Sequence, residues 1–449
     1  MKNTEIMNNF FKQKNVAHRY LSPLIILILA TFSLQAIADL SQNLKDLSIS
    51  QAVEIALKDN PSYAQVQSRY RALLDIPSQA GALPDPIIIL NGLNLPASDL
   101  NSTQEGMTQL QLGVSQAFPF PGKLSLREKS AEYEAAAGLE SVFELRLKLK
   151  QQVTSSWWEL YYLERSLEVI NANLNLLRQF VKIADTKYKV GDGLQQDVLL
   201  AQLELSKLLE QEIRVKSLRR IEMATLNTLM GENANTKIAL SQSIKKNLVG
   251  IATTDALLTQ TNEKNPSLKK DKNLISAAQS RLSLAEKEYY PDFKVSLVYG
   301  DRQGNNPVAA GGGDREDAIS VLFNMSFPLY AGSKQDKGVS QRSNELLERK
   351  YSRQDTYNAL YSRIVSLSSD YFKSRELFKL FDTGIIPQAQ QTVDSMLSGY
   401  KVSEVDFLNL VRSQITLLNY QIRYWRVLTQ GKQFLAKIDE ITAGDNLYE

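Results

Sequence analysis

The same ordered set of landmarks occurs twice along the chain. Asn60-Pro61, Pro84-Asp85, Phe118-Pro119, Gly122-Lys123 and Tyr188-Lys189-Val190 return in that order as Asn265-Pro266, Pro291-Asp292, Phe327-Pro328, Gly332-Ser333-Lys334 and Tyr400-Lys401-Val402, at an offset that drifts only from 205 to 212 residues. Solenoid repeats recur every 20 to 50 residues or so, so a unit of about two hundred residues present twice is a pseudo-symmetric pair instead. The expected organisation is a leader over 1–38, a first repeat over 39–245 and a second over 246–449. Strands are expected at about 85–118 and 291–328, and helical hairpins at about 124–230 and 334–440.

The leader is read from Lys12, Lys14 and Arg19, the apolar run Leu21 to Phe32, and Ala36-Ile37-Ala38 before Asp39. This is the pattern of a secretory signal peptide. A membrane anchor needs about twenty apolar residues, and this run is shorter and contains Pro23. There is no cysteine, so neither a lipid-modified N-terminal cysteine nor a disulfide is expected. Removing 1–38 leaves 48 basic and 48 acidic residues (52 − 4 and 49 − 1), and the charge argument toward nucleic acid disappears.

The single histidine, His18, belongs to the leader. Without His or Cys, a Ser-His-Asp or Cys-His nucleophile and the usual zinc and copper sites are excluded. No cofactor and no metal site is expected. The Ser-x-x-Lys tetrads at Ser243–Lys246 and Ser267–Lys270 lack the companion motifs of the enzymes that use them. Gly122-Lys123 lacks the upstream glycine of a phosphate loop.

Leu160, Leu163, Leu167, Ile170, Leu174, Leu177, Val181, Ala184 and Tyr188 step by alternating threes and fours, a coiled-coil seam. No proline interrupts 122–230, so a helix from about Ser125 to Lys189 would be roughly 95 Å long. Gly191-Asp192-Gly193 turns the chain, and a return helix runs to Met230, where Gly231 ends it. In the second repeat the seams are Leu360, Ile364, Leu367, Tyr371, Phe378, Phe381 and Ile385, broken at Ser374, and Leu408, Val411, Ile415, Leu418, Ile422 and Trp425. Gly384 and Pro387 predict a kink in its outgoing helix and a hinge there. Trp157-Trp158 and Tyr161-Tyr162 are expected to pack between helices.

Other segments alternate with a period of two. Leu110, Leu112 and Val114, and Ile319 to Phe327, read as two-faced strands with upstream partners Ile87–Leu93 and Phe293–Tyr299. Their lengths suit tilted membrane strands. Four strands cannot close a barrel, so other copies must complete it; two copies give eight strands and three give twelve.

Phe118-Pro-Phe-Pro-Gly-Lys123, Phe327-Pro-Leu-Tyr-Ala-Gly332, Tyr188-Lys-Val-Gly191 and Gly399-Tyr-Lys-Val402, in this order, resemble the TolC-type outer-membrane efflux proteins over essentially all of the chain beyond the leader. The resemblance implies a mainly α fold with β structure: each repeat a coiled-coil hairpin plus a β-hairpin, assembled as a homotrimer with an α-barrel and a 12-stranded outer-membrane β-barrel. It implies a passive, non-enzymatic channel that spans outer-membrane lipid and docks a periplasmic adaptor and an inner-membrane pump. The adaptor-docking tips would be Val190, Gly191 and Asp192, and Val402, Ser403 and Glu404, with Ser403 standing where the family usually has glycine. Asp197 and Tyr400 fall at gate-holding positions. Asn409 and Arg412 fall where some members carry a double ring of aspartates, Asp406 being the nearest carboxylate. The Pro84-Asp85-Pro86 start and the Phe-Pro-Phe-Pro-Gly-Lys stretch resemble the heavy-metal cation branch. Multidrug efflux, type I protein secretion and a soluble periplasmic coiled-coil scaffold are the alternatives, with a carboxylate enzyme such as a glycosidase behind them.

Overall fold

The computed structural model describes residues 44–242, 244–306 and 308–444. The leader over 1–38, with His18, and Ser243 lie outside them. The elements in chain order are β1 (Leu44–Leu47), α1 (Ile49–Asp59), α2 (Pro61–Leu74), α3 (Ile76–Gly81), β2 (Ile87–Leu93), β3 (Gln109–Phe118), α4 (Lys123–Lys189) and α5 (Gln195–Met230). Then follow β4 (Ile238–Leu240), α6 (Thr254–Lys264), α7 (Pro266–Lys287), β5 (Phe293–Asp301), β6 (Ala318–Met325), α8 (Gln335–Leu380), a π-turn (Phe381–Ile385), α9 (Ile386–Lys401) and α10 (Phe407–Thr442).

The 67 residues of α4 make a rod of about 100 Å. It survives at this length because proline is absent and because it is packed on several sides, by α5, by α10, by α7, and by α2 and α3. The long helices lie side by side in the order α5, α4, α10, α8, and α9 continues the line of α8. Three apolar clusters fill the contacts. One gathers Trp157, Trp158, Leu160, Tyr161, Leu226 and Met230 under α1; one runs along the tip half around Ile170, Leu177, Phe180 and Tyr400; one joins α8 to α10 around Ile364, Tyr371 and Phe381. Trp157 stacks on Tyr161 with ring centroids 5.5 Å apart, and its Nε1 donates to Leu47 O at 2.9 Å, so these aromatics pack as expected.

The seams hold with three corrections. Tyr188 is exposed, because the helix frays into its turn one residue later. Ser374 does not break its seam: it is buried, and its hydroxyl returns a hydrogen bond to Asp370 O at 2.8 Å. Leu408 is exposed, and Phe407, Leu410, Val411, Gln414, Leu417 and Leu418 carry the buried face, because α10 packs against α4 on one side and α8–α9 on the other. The kink at Gly384 and Pro387 is a π-turn, whose wider winding accommodates a proline that cannot donate to the preceding turn.

Corresponding residues of the two halves make corresponding bonds. Asn60 caps α2 by accepting from Ser62 N and Tyr63 N, and Asn265 caps α7 by accepting from Ser267 N and Leu268 N. The amide of Asn60 donates to Leu229 O at 2.9 Å near the end of α5, and that of Asn265 to Ile441 O at 2.8 Å near the end of α10. Each asparagine thus ties the start of its half to the end of the helix that returns from the tip. A short parallel pairing of β1 with β4 lies beside the first of these clusters, and was not anticipated.

Candidate functional site

At one end of the rods β2, β3, β5 and β6 form an antiparallel sheet in that order, with β2 and β6 at its edges. β6 stops at Met325, so Phe327 lies beyond it. Directly opposed residues share a face, and the registers Val114↔Leu297, Leu112↔Tyr299, Leu297↔Val321 and Val295↔Phe323 gather Leu90, Leu112, Val114, Val295, Leu297, Tyr299, Ile319, Val321, Phe323 and Met325 on one side. These side chains are left bare, Leu90 at 79%, Ile319 at 74% and Val321 at 71% exposed. A contiguous apolar patch of this extent marks a lipid or partner surface. The opposite face carries Gln109, Gln111, Gly113, Ser115, Lys294, Ser296, Gly300, Ser320 and Asn324, with Ile87, Ile89, Val298 and Leu322 among them. Ser296 donates to Ser115 Oγ at 2.8 Å there, and Asn91 to Gln111 at 3.1 Å. One side that is apolar and one that is largely polar is the pattern of a membrane barrel wall. No described helix is long and apolar enough to cross a membrane.

At the other end the two helix turns meet. Each closes with the same pair of backbone bonds: Asp192 N to Lys187 O and Gly191 N to Tyr188 O in the first, Glu404 N to Gly399 O and Ser403 N to Tyr400 O in the second. Both motifs put one residue in the left-handed region, Gly191 at φ 80° and Ser403 at φ 63°. Glycine adopts this freely; serine pays roughly 1 kcal/mol for it. Ser403 instead makes contacts that a glycine could not, since its hydroxyl accepts from Lys187 Nζ at 2.8 Å and lies 3.4 Å from Asp192 Oδ2.

Lys187 is the hub of the tips. Its ammonium donates to Tyr400 O at 3.1 Å, stands 3.5 Å from Asp192 Oδ2 and lies 4.8 Å from the centre of the Tyr400 ring. Motif reading missed it, because Tyr400 and Ser403, which accept its hydrogen bonds, sit more than two hundred residues away and no local pattern marks it. Tyr400 is buried against Phe407, and its hydroxyl finds no partner among the described residues. Burial, then the Asp197 and Asp192 carboxylates, push that phenol up. Burial also pushes the Asp197 carboxyl up, with Asp406 adding to it and the Leu194 backbone partly offsetting it. The structure therefore brings Asp197, Tyr400 and Asp406 together across the two turns. Val190, Gly191, Asp192, Val402, Ser403 and Glu404 are exposed at the extremity. Asn409 and Arg412 are exposed. Ser267 and Lys270 both bond Glu144, at 3.0 and 2.5 Å, so that tetrad is a surface ion-pair contact.

A two-faced strand hairpin pair carried on helical rods is the fold of the outer-membrane efflux channels. The "Outer membrane efflux protein" family profile matches residues 52–232. The cobalt-zinc-cadmium resistance protein CzcC of Cupriavidus metallidurans is 22% identical over 367 residues, 81% of this chain and 82% of that one. The outer-membrane channel OprN superposes with a TM-score of 0.75 at 14% identity, covering 89% of this chain and 90% of its own. VceC of Vibrio cholerae gives 0.73 at 16% identity, covering 88% and 96%. Over residues 52–232 the chain matches the outer-membrane efflux proteins, and its fold is that of these solved channels, the likeness its motifs implied.

Replacing Lys187 by Met removes charge-assisted hydrogen bonds worth about 2 kcal/mol, and amide exchange over 187–192 and 399–404 should quicken at least about tenfold; unchanged protection would refute the hub. Asp197 holds its proton more tightly folded than unfolded, so its cost is present above the folded pKa and vanishes below the ordinary value of 3.8. Tip protection should accordingly rise as pH falls toward that value, and Asp197→Asn should flatten the profile and slow exchange at neutral pH. Faster exchange in the asparagine variant would show that the charge stabilises the tip instead.

Proposed function

We propose that this efflux channel works as the passive exit duct of a tripartite system, a homotrimer whose sheets close a 12-stranded barrel in the outer membrane and whose rods form a periplasmic tunnel. The observation that carries this is the four-stranded sheet with an apolar outer face, a largely polar inner face and two unpaired edges. In hydrocarbon an unpaired backbone edge costs several kcal/mol per group, and the edge strands β2 and β6 run antiparallel, as closure by further copies requires. Exposed Tyr289, Tyr290, Phe327 and Tyr330 cluster where the strands meet the helices, the position of a barrel's aromatic girdle. Two pseudo-repeats account for the matched caps, turns and hairpins of the two halves.

In this reading Val190, Gly191, Asp192, Val402, Ser403 and Glu404 meet the periplasmic adaptor, which in turn couples to an inner-membrane pump. Asp197, Tyr400 and Asp406 hold the aperture shut, and Asn409 and Arg412 line the approach to it. One charge per chain becomes a ring around a threefold axis and sets the potential of a narrow pore. Heavy-metal cations are the proposed cargo, supported by the likeness to a protein named for cobalt, zinc and cadmium resistance. Selection among cations is assigned to the pump, since a conduit need not bind what it passes.

A deletion strain should lose tolerance to cobalt, zinc or cadmium ions while keeping its tolerance to dyes and detergents, and the purified protein should conduct as a trimer in planar bilayers. Sensitivity to dyes and detergents alone would replace the cargo reading with multidrug efflux. A water-soluble monomer without conductance would end the channel reading altogether.

Gly384 and Pro387 are proposed as the hinge of the second hairpin. A Cβ at Gly384 would meet only Leu380 Cδ1, at an ordinary 3.8 Å, so alanine fits there. Gly384→Ala with Pro387→Ala should lower efflux while leaving trimer yield unchanged; unaltered efflux would remove the hinge.

A further inference from the structure

The two halves of one chain are joined at the foot of the sheet by a buried charged contact. Lys123 is 1% exposed, and its ammonium lies 2.9 Å from Asp292 Oδ1, 3.3 Å from Glu288 Oε2 and 3.1 Å from Tyr290 O. Phe120 N donates to the same Asp292 oxygen at 2.7 Å, and the Phe120 ring stacks on Tyr290 with centroids 4.5 Å apart. Lys123 opens the helix that follows the first hairpin; Asp292 immediately precedes the second.

The counterparts of these groups in the other half are left without partners. Lys334 stands at the start of α8 as Lys123 does at the start of α4, and Asp85 follows Pro84 as Asp292 follows Pro291. Both are exposed, and neither makes an ion pair among the described residues. Leu329 and Tyr330, in the place of the half-buried Phe120, are 74% and 76% exposed. The lysine that is buried and paired at one junction is bare at the other.

The strand registers match too. Aligning Asp85 with Asp292 and Phe118 with Phe327 superposes Ile88↔Val114 on Val295↔Phe323 and Leu90↔Leu112 on Leu297↔Val321. The two hairpins are the same object placed twice. The joint between them is β3 on β5, with Gln116 opposite Val295 and Val114 opposite Leu297. The same joint transferred to the open edges places Met325 opposite Ile88 and Phe323 opposite Leu90.

We infer that the junction inside the chain is copied between chains: Lys334 pairs with Asp85 of the partner subunit, and β6 zips onto β2 of the partner subunit with Phe323 facing the partner subunit's Leu90. This rests on the ring proposed above and specifies its interface. Every outward side chain in this register is apolar, whereas a slip of one residue would turn Asn324 and Asn91 toward lipid.

The native chain has no cysteine, so pairs can be introduced without background. In membranes under mild oxidation, Phe323→Cys with Leu90→Cys should give disulfide-linked dimers and trimers on non-reducing gels. Phe323→Cys with Ile88→Cys and Val321→Cys with Leu90→Cys, each two residues out of register, should give little product. Lys334→Glu should lower the temperature at which detergent-solubilised trimers dissociate, and adding Asp85→Lys should restore it. Cross-linking through a shifted pair, in a protein that is still trimeric, overturns the register and leaves the channel reading standing. A double charge reversal that recovers nothing overturns the ion pair. A monomeric parent overturns both this interface and the trimer.

Discussion

The backbone amides and carbonyls of two edge strands are what the rest of this molecule must answer to. A sheet of four strands, apolar on its outer side, has no stable place in water, and with two open edges it has none in lipid. Both conditions are met together only when copies share edges. The chain fits that requirement: its sheet is antiparallel throughout, its outer residues alternate with inner ones, and its inner side carries small and amide side chains that bond one another beside a few apolar ones.

The rods extend the same economy of parts. In the proposed ring, a coiled-coil hairpin and a strand hairpin used twice would give a joint that serves once inside the chain and again outside it. Lys123 is the clearest instance. A fully buried ammonium carries a desolvation cost of several kcal/mol and is tolerated only because carboxylates and a carbonyl surround it. Such a contact adds little net stability against an apolar substitute, but it rejects wrong registers strongly, since a displaced pairing leaves a charge buried alone. At the foot of a sheet with one apolar face, where a slip of one strand position turns the surface inside out, that discrimination matters more than strength.

Much of this was legible in the residues. Strands and helices announced themselves by periods of two and about three and a half, and their ends by Gly191 and Gly231, both of which adopt positive φ. Ser403 was placed by alignment with Gly191, and the structure gives it the same backbone state. What stayed hidden depended on tertiary contact. Lys187 and Lys123 look like surface lysines until residues far along the chain are brought beside them. Leu408 and Ser374 were misjudged because a heptad assumes one partner, whereas α10 has two and a helical serine can satisfy itself. The pairing of β1 with β4 is too short to leave a periodic trace.

The two outgoing helices differ in one respect with a mechanical result. α4 is a single span of 67 residues, while its counterpart is divided into 46 and 16 residues by the five-residue π-turn. The distal 16-residue piece is a lever arm of about 24 Å. A swivel of about ten degrees at its root would carry the far end roughly 4 Å sideways without disturbing anything nearer the sheet. In a ring of such chains stiff struts alternate with jointed ones, so the mouth would dilate by the travel of every second strut, changing outline from near-hexagonal toward triangular rather than widening evenly.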